Sequence, residues 1–517
     1  MPVSHGLTPV ATAPALDLTL VIDIGKTNAR LFMLDDAGQV VERHNRGNAS
    51  VQSALGYPAL DVRGLEGWMK STLRASPHAM RCGHAIASTH GAAIVALAGE
   101  RLAWEPIDYE FEGVAQQGAM ATAFDTASDP FNQTLSPDLP AGLNAARQLF
   151  WMQNAHPDEW RKTQCLLPYP QYWAWLLSGV ACSEVSSLGC HTHLWNPARA
   201  DFSSLAADQG WASLFAPLRS AWEVIGPVRP AVASEWGLPA GCKVHAGVHD
   251  SNACLARYLD STSADPQKEE ALTIVSSGTW TVLMAPGASA ESLVAGQDML
   301  GNVDVTGRVT PTARFMGGRE FAAILQGADP QAASAAGLKR LVESKTFAFP
   351  AFSHAGGPFA ERAGYQARGG HLQSAASAIN AEALDDSERA ALAATYCAQV
   401  TAWLIDRLWR GHATRQATTQ ADTQPTVIVE GPLASNAIYM HVLQSMLPGS
   451  LCYASTDELE GTARGAWLLT RWGGDQARGN LKSVPCEASQ ELREYHAHWL
   501  EVVNEAARRR VAIQAVS

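Results

Sequence analysis

Order in the hydrophobic pattern begins at Leu18. Leu18 to Ile24 is a nearly continuous apolar run carrying one aspartate, Asp23, and it breaks at Gly25. A second run, Ala29 to Leu34, enters the turn Asp35-Asp36-Ala37-Gly38 and a third, Gln39 to Arg43. Apolar runs separated by glycine-centred turns predict a hairpin. Further strands are expected at Ala85 to Ser88, Gly91 to Ala98 and Lys243 to Gly247, the last delivering the chain to His249-Asp250-Ser251. Ala141 to Asn154 has helical spacing through Leu143, Ala146, Phe150 and Met152. In the second half, Ala271 to Val275 and Trp280 to Met284 form another strand, turn and strand around Gly278, and Thr426 to Val429 is a later strand. Asp385 followed by Glu388 is a capping-box start for a helix over Ser387 to Trp409, with Leu392, Tyr396, Val400, Trp403 and Leu408 on one face. A final amphipathic helix turns Leu492, Tyr495, Trp499 and Val502 inward.

The same figure thus occurs near the start of each half: Val21-Ile22-Asp23-Ile24-Gly25-Lys26-Thr27, and Ile274-Val275-Ser276-Ser277-Gly278-Thr279-Trp280. Two similar halves facing each other would set the two turns across a shared cleft. Backbone N–H groups of tight turns bind anions through local dipoles, glycine lets the chain approach closely, and Ser or Thr hydroxyls add donors. Each turn could instead be a plain hairpin. Asp23, at the end of a buried strand, needs a compensating partner, which a Mg²⁺ shell reached through water would supply.

Composition narrows the partners. At 517 residues the chain exceeds one ordinary core, so two domains are expected. A net charge of -12 argues against sequence-independent nucleic-acid or anionic-membrane binding. The nine cysteines are odd in number and form no CxxC pair, which suits reduced thiols in a cytoplasmic protein. Cys190, His191 and His193 lack usual metal-ligand spacing and are expected to be plain strand or loop residues. No run approaches the roughly 18 to 20 apolar residues of a membrane span, and no leader-like start is present.

Read together and in order, these motifs resemble those of the FGGY carbohydrate kinases from about Leu18 to Thr470. Asp23-x-Gly25-x-Thr27-x-x-Arg30 is similar to their first phosphate motif and Ser277-Gly278-Thr279 to their second. Val427-Ile428-Val429-Glu430-Gly431-Pro432 with Asn436 resembles their adenosine motif, and Glu460-Gly461-Thr462-Ala463-Arg464-Gly465-Ala466 the helix start after it. The resemblance implies an α/β fold of two actin-like (ribonuclease H-like) domains with an ATP and sugar cleft between them. Residues 1–16, small, Pro- and Ala-containing and aperiodic, read as a disordered tail, and the polar stretch 261–270 with Pro266 reads as an inter-domain linker; the resemblance implies an N-terminal domain over 17–260 holding sugar, phosphate and the base. A nucleotide-binding domain over 271–475 and a helical extension over 476–517 follow. ATP and Mg²⁺ are the implied cofactors. Asp23, Gly25, Lys26, Thr27, Asn28, Arg30, Ser277, Gly278, Thr279, Gly318, Gly431, Pro432 and Asn436 are the implied nucleotide contacts, with Asp23 toward the metal.

Asp250 in Gly247-Val248-His249-Asp250-Ser251 matches the position of the family's catalytic aspartate; alternatively it caps a helix beginning near Ser251. A sugar hydroxyl is a poor nucleophile until a placed base accepts its proton. His90, Trp104, Asp108, Tyr109 and His249 are the implied sugar contacts, and an aromatic beside a carboxylate suits a sugar's C–H face and hydroxyls. Packing is the alternative for Trp104 and Tyr109. Two departures stand out: Arg147-Gln148-Leu149-Phe150-Trp151 replaces a Lys near a Trp, and Gly-Pro replaces Gly-Gly in the adenosine motif. The His-Asp pair and the Ser-Ser-Gly-Thr-Trp turn look most like rhamnulose and fuculose kinases, so a 6-deoxyketohexose is the expected acceptor, ahead of xylulose, another pentulose or a polyol. An actin- or chaperone-like ATPase switch is the alternative of another class. No nucleic-acid or membrane partner is expected, and a homodimer is left open.

Overall fold

The computed structural model of the chain describes residues 15–259, 271–353, 356–359, 362–369, 384–410, 425–447, 449–457, 461–474, 480–485 and 490–514. The expected linker, Glu460, Cys486 and most of the N-terminal tail lie outside them, as does all but the last residue of the polar, Thr- and Gln-rich stretch Gly411 to Pro425 that is expected to loop between the long helix and the strand at Thr426.

Two sheets with the same wiring make up the molecule. In the first, all seven residues of strand Leu18–Ile24 are buried, because the strand is central: Asn28–Leu34 pairs with it antiparallel on one side and Cys82–Thr89 parallel on the other. Val40–Gly47 extends the hairpin side, and Lys243–His245 followed by the antiparallel edge Val224–Pro227 extends the other. In the second sheet Leu272–Ser277 is central, between antiparallel Thr281–Met284 and parallel Thr426–Glu430. Val309–Phe315 and Met299–Val303 continue its hairpin side, while parallel Cys452–Ser455 and the antiparallel edge Leu481–Ser483 finish the other. Only Met299–Val303 lacks a counterpart among the strands of the first sheet. The expected runs therefore stand with shifted ends, and Val40–Gly47 outlasts the predicted Gln39-to-Arg43 run by alternating exposed and half-buried residues along an edge.

Helix Asp386–Leu408 starts with the predicted capping box: Asp385 accepts from Glu388 N at 2.8 Å, and Glu388 accepts from Asp385 N at 3.1 Å. It differs from expectation in being buried on nearly every side and not on one face. Gly317–Leu325, Ala335–Glu343 and Ala437–Met446 all pack on it, and its run of small residues, Ala390, Ala391, Ala393, Ala394, Ala398 and Ala402, admits them closely. In the closing helix Gln490–Gln514, Leu492, Tyr495, Trp499 and Val502 are buried, as the spacing predicts.

The lobes meet at a joint of close glycine contacts and a buried ionic cluster. Helix Asp250–Ala256 crosses Gly461–Leu469 so tightly that a Cβ on Gly465 would stand 1.7 Å from the Ala253 carbonyl oxygen, and one on Gly461 2.1 Å from Glu430 Oε2. Just beyond the first helix, Arg257 is 1% exposed and ion-paired to both Glu430 and Asp457. Tyr258 also donates to Glu430, and Cys254 Sγ lies 2.6 Å from its Oε2. Removing one member of such a buried set leaves an uncompensated charge, at a cost of about 3–5 kcal/mol. Trp222 and Trp472 stack at 4.8 Å between centroids.

Candidate active site

Both phosphate-like turns leave the C-terminal end of the central strand of their sheet. In the first, Gly25 N donates to Asn28 O at 2.9 Å, closing the turn between the two central strands. Strand pairing sets Asn28 opposite Gly47, so the next residue, Asn48, lies beside the turn and ties it down: its side chain donates to Gly25 O at 2.8 Å and its backbone N to Thr27 O at 2.8 Å. Thr27 is exposed at the tip, accepting from Asn28 Nδ2 at 3.1 Å. Asp23 is 4% exposed and receives Arg30 Nη1 at 3.2 Å, the cross-strand partner that register places opposite it. Lys26 is drawn to Asp108, with Glu110 at 3.4 Å.

The second turn is built differently. Ser277 accepts Leu433 N at 3.0 Å and donates to Glu430 O, which interlocks this turn with the adenosine-like turn. Gly431 holds φ +78, and a Cβ there would stand 2.0 Å from Ser277 O; both reasons demand glycine. Pro432 opens the short helix Pro432–Ser435 at its first position, where no N–H is needed. The Gly-Pro departure is therefore accommodated locally. Gly318 N donates to Thr279 O at 3.2 Å, and a Cβ on Gly318 would stand 2.4 Å from Gly278 O. Gly278 and Thr279 remain exposed. Asn436 caps helix Ala437–Met446 by accepting Tyr439 N at 2.9 Å.

Beside the first turn lies a cluster of first-lobe side chains. His90 N donates to Ile24 O at 2.9 Å, so the strand that ends at Thr89 delivers His90 beside the first turn. Its ring is held between Tyr109 and Tyr169, each 5.3 Å away by centroids. His90 Nδ1 meets Gly91 O at 2.8 Å and must donate there; burial holds the imidazole below its ordinary pKa although the Gly91 carbonyl and Asp250 oppose this. The ring is thus neutral at pH 7, and Nε2 is a bare acceptor, buried and without a partner among the described residues. Gly91 leaves room for His249, whose Nε2 would lie 2.8 Å from a Cβ there. His249 Nε2 is 3.3 Å from Asp250 Oδ1, and burial keeps this imidazole low as well, against the pull of Asp250.

Asp250 opens its helix with a side chain 28% exposed. Oδ1 accepts Ser251 N at 2.6 Å, but the N-cap is His249 and carries no side-chain cap bond, so Asp250 is the first helical residue and not the cap that the alternative expected; its Oδ2 takes no hydrogen bond among the described residues. Asp108 is buried, which by itself would raise its pKa, but the bonds from Lys26 and Ser50 prevail and hold it below the usual carboxylate range. Trp104 stands apart from this cluster. It is 4% exposed within the first-lobe core, and its Nε1 donates to Thr163 Oγ1 at 3.1 Å, so its role in the fold is packing. Arg147 is likewise interior, bonded to Asp125 and Asp138 and 4.4 Å from the Phe124 ring centroid. Cys190 donates to Ser187 O at 3.2 Å and His191 Nδ1 meets Leu143 O at 3.0 Å. Sequence reasoning missed Asn48, Ser50 and Tyr169, whose places depend on strand pairing and on a distant helix start, which local patterns do not carry.

Mg²⁺ can be tested against the donors. Among the described residues no group of three or more His, Cys, Asp or Glu is placed to hold a metal. Asp23 is an acid beside the first turn already met by Arg30. That set fits an ion that keeps its waters and is held mainly by substrate phosphates, with Asp23 in its outer sphere, and does not fit an all-protein cage.

Duplicated sheets, a glycine turn from each, and a shared cleft define the actin-like class of two-lobed α/β proteins. The description "Carbohydrate kinase FGGY, C-terminal domain" matches residues 269–478, and "FGGY family of carbohydrate kinases, N-terminal domain" matches residues 139–256. A solved carbohydrate kinase from Novosphingobium aromaticivorans is 31% identical, with TM-score 0.80, over 95% of this chain and 100% of that one. The chain belongs to the FGGY family of carbohydrate kinases. An L-fuculokinase of Salmonella typhi is 26% identical over 289 residues, 54% of this chain and 59% of that protein, so this chain spans just under three fifths of that relative. A ligand-bound xylulose kinase of Lactobacillus acidophilus, 13% identical with TM-score 0.71 over 96% of this chain and 98% of that one, shares the fold. No helix of the described residues is long and apolar enough to cross a membrane.

Proposed function

We propose that the chain is an ATP-dependent kinase that phosphorylates a ketose, with a 6-deoxyketohexose such as L-rhamnulose or L-fuculose as acceptor and the 1-phosphate as product. The observation that carries this reading is the bare, buried Nε2 of His90 in the same small cluster as Asp250. An ATPase switch has no use for an acceptor of that kind; a polyhydroxylated substrate has a proton to donate to it. The L-fuculokinase relatives support the deoxyketose choice, as does the Ser276-Ser277-Gly278-Thr279-Trp280 turn.

In this reading residues 17–260 hold the sugar and 271–475 the nucleotide. His90, Tyr109, Asp108 and His249 orient the acceptor, and Trp104 stiffens the wall behind them. Asp250 Oδ2 accepts the proton of the attacking hydroxyl as its oxygen bonds the γ-phosphorus and the bond to ADP breaks. Thr27, Gly278, Thr279 and Gly318 cradle phosphates through backbone and hydroxyl donors, while Gly431, Pro432 and Asn436 shape the adenosine side. Mg²⁺, when bound, supplies charge neutralisation on those phosphates, with Asp23 oriented toward its water. Closure of the lobes excludes water, so that transfer to the sugar outruns hydrolysis.

The test is a panel of ketoses and polyols assayed for ADP release and phosphosugar. Stoichiometric product from L-fuculose or L-rhamnulose supports the proposal. Turnover restricted to xylulose would replace the acceptor, and sugar-independent ATPase alone would replace the kinase reading with the switch.

A further inference from the structure

A row of paired residues crosses the second sheet on the side that faces the first lobe: Glu430 opposite Ser276, Ser276 opposite Val282, and Val282 opposite Arg314. One end of the row is fixed to the helix that Asp250 opens, since Glu430 meets Cys254 and Arg257. The other end, Arg314, is therefore turned to the same side of the sheet, toward the first lobe. It is 8% exposed. Its guanidinium carbon lies 4.7 Å from the ring centroid of Trp280, the residue immediately after the Ser277-Gly278-Thr279 turn. Its Nε donates to Asp298 Oδ1 at 2.7 Å, and the other oxygen of Asp298 accepts Gly357 N at 2.7 Å, so the arm is clamped from below. The two terminal nitrogens have no hydrogen bond among the described residues and are not sealed from solvent. Lys26 and Arg30, the cations of the first turn, are by contrast engaged by Asp108, Glu110 and Asp23. From across the cleft Arg314 is also close enough to act on Tyr109 and on His191, the latter held at about 3 chiefly by burial.

We propose that Arg314 is a catalytic residue of phosphoryl transfer, its two terminal nitrogens bonding a non-bridging oxygen of the phosphoryl group as it passes between the lobes. The inference rests on the kinase reading above. The bond from γ-phosphorus to the ADP oxygen breaks as the bond to the sugar oxygen forms, the sugar's proton goes to Asp250, and Arg314 exchanges no proton. A planar fork aimed at developing phosphoryl charge stabilises the transition state of this reaction, an arrangement worth about 10³–10⁵ in turnover where an arginine supplies it.

The experiment compares the full chain with Arg314→Ala and Arg314→Lys. In the alanine variant kcat should fall by about 10³-fold, with KM for ketose and ATP changed by no more than about threefold. Added guanidinium should restore part of the lost turnover, which a purely structural role would not allow. By calorimetry, the gain in ADP affinity that aluminium fluoride and ketose give the wild type should vanish in the variant, while binding of ADP alone stays. Arg314→Lys, which keeps the charge without the fork, should fall between and covers a failure of the alanine variant to fold. A raised ketose KM with kcat retained would make Arg314 an acceptor contact and overturn the proposal, as would an unaffected variant. No ketose-dependent ADP formation by the wild type would overturn the kinase reading and this inference together; an active wild type beside an equally active Arg314→Ala overturns the inference alone.

Discussion

The two glycine turns occupy equivalent places in equivalently wired sheets and are furnished in opposite ways. Around the first, charged side chains are matched in pairs, Lys26 with Asp108 and Arg30 with Asp23. Around the second, contact is steric and made by backbone: Gly431 against Ser277, Gly318 against Gly278. The first turn can respond electrically to what lies beside it, whereas the second is a fixed surface, with Arg314 held beyond it against Trp280 and Asp298. On the proposed function, such turns would let an acidic chain grip a polyanion without a basic face, because backbone amides bind anions through local dipoles.

Breaking the chemical side of this contrast should have the largest effect. Asp250→Asn should lower kcat by about 10²-fold or more with ADP affinity unchanged, measured by coupled ADP release and calorimetry; near-full turnover would remove Asp250 from the mechanism. On the fixed side, Gly431→Ala forces a Cβ into the Ser277 carbonyl at φ +78. Strain of roughly 1–3 kcal/mol should weaken ADP binding by about 10-fold or more while ketose binding without nucleotide is spared. His90→Phe keeps ring packing and removes the acceptor, so ketose KM should rise about tenfold with ATP KM unchanged.

The smallest effect is one of pH. His193 and His245 in the first lobe and His496 in the second are held at about 4, mainly by burial, and His191 at about 3. Unfolded histidines protonate near about 6.5, so as pH falls from about 6.5 toward 4 the unfolded state takes up protons that the native state refuses. Stability is full above that window and declines through it. Three of these four histidines belong to the first lobe, so hydrogen exchange at pH 5 should show that lobe opening before the second; simultaneous opening would contradict the assignment.

Much of this was legible in the chain because the two halves repeat a short local pattern. The central strands, both turns and the Asp385–Glu388 cap depend on neighbours in sequence. What escaped depends on partners far away. Asn48 reaches the first turn only because a third strand returns beside it. Trp104 has the spacing of a sugar contact, but Thr163, well along the chain, takes its N–H inside the core. Arg314 carries no local motif at all, and its orientation follows from the register of three strands. The helix Asp386–Leu408 looks one-sided from its larger residues, while its alanines serve as contact surface for neighbours that periodicity cannot announce.

The crossing at Gly461 and Gly465 sets what kind of movement the cleft can make. At Gly465 main chain rests on main chain, while at Gly461 the helix rests on the Glu430, Cys254 and Arg257 side chains, so the bearing is both close-packed and pinned by the buried ionic set. Asp250 begins the very helix that forms one half of this bearing, so a swing that carries the rims of the cleft far apart would scarcely shift its carboxylate.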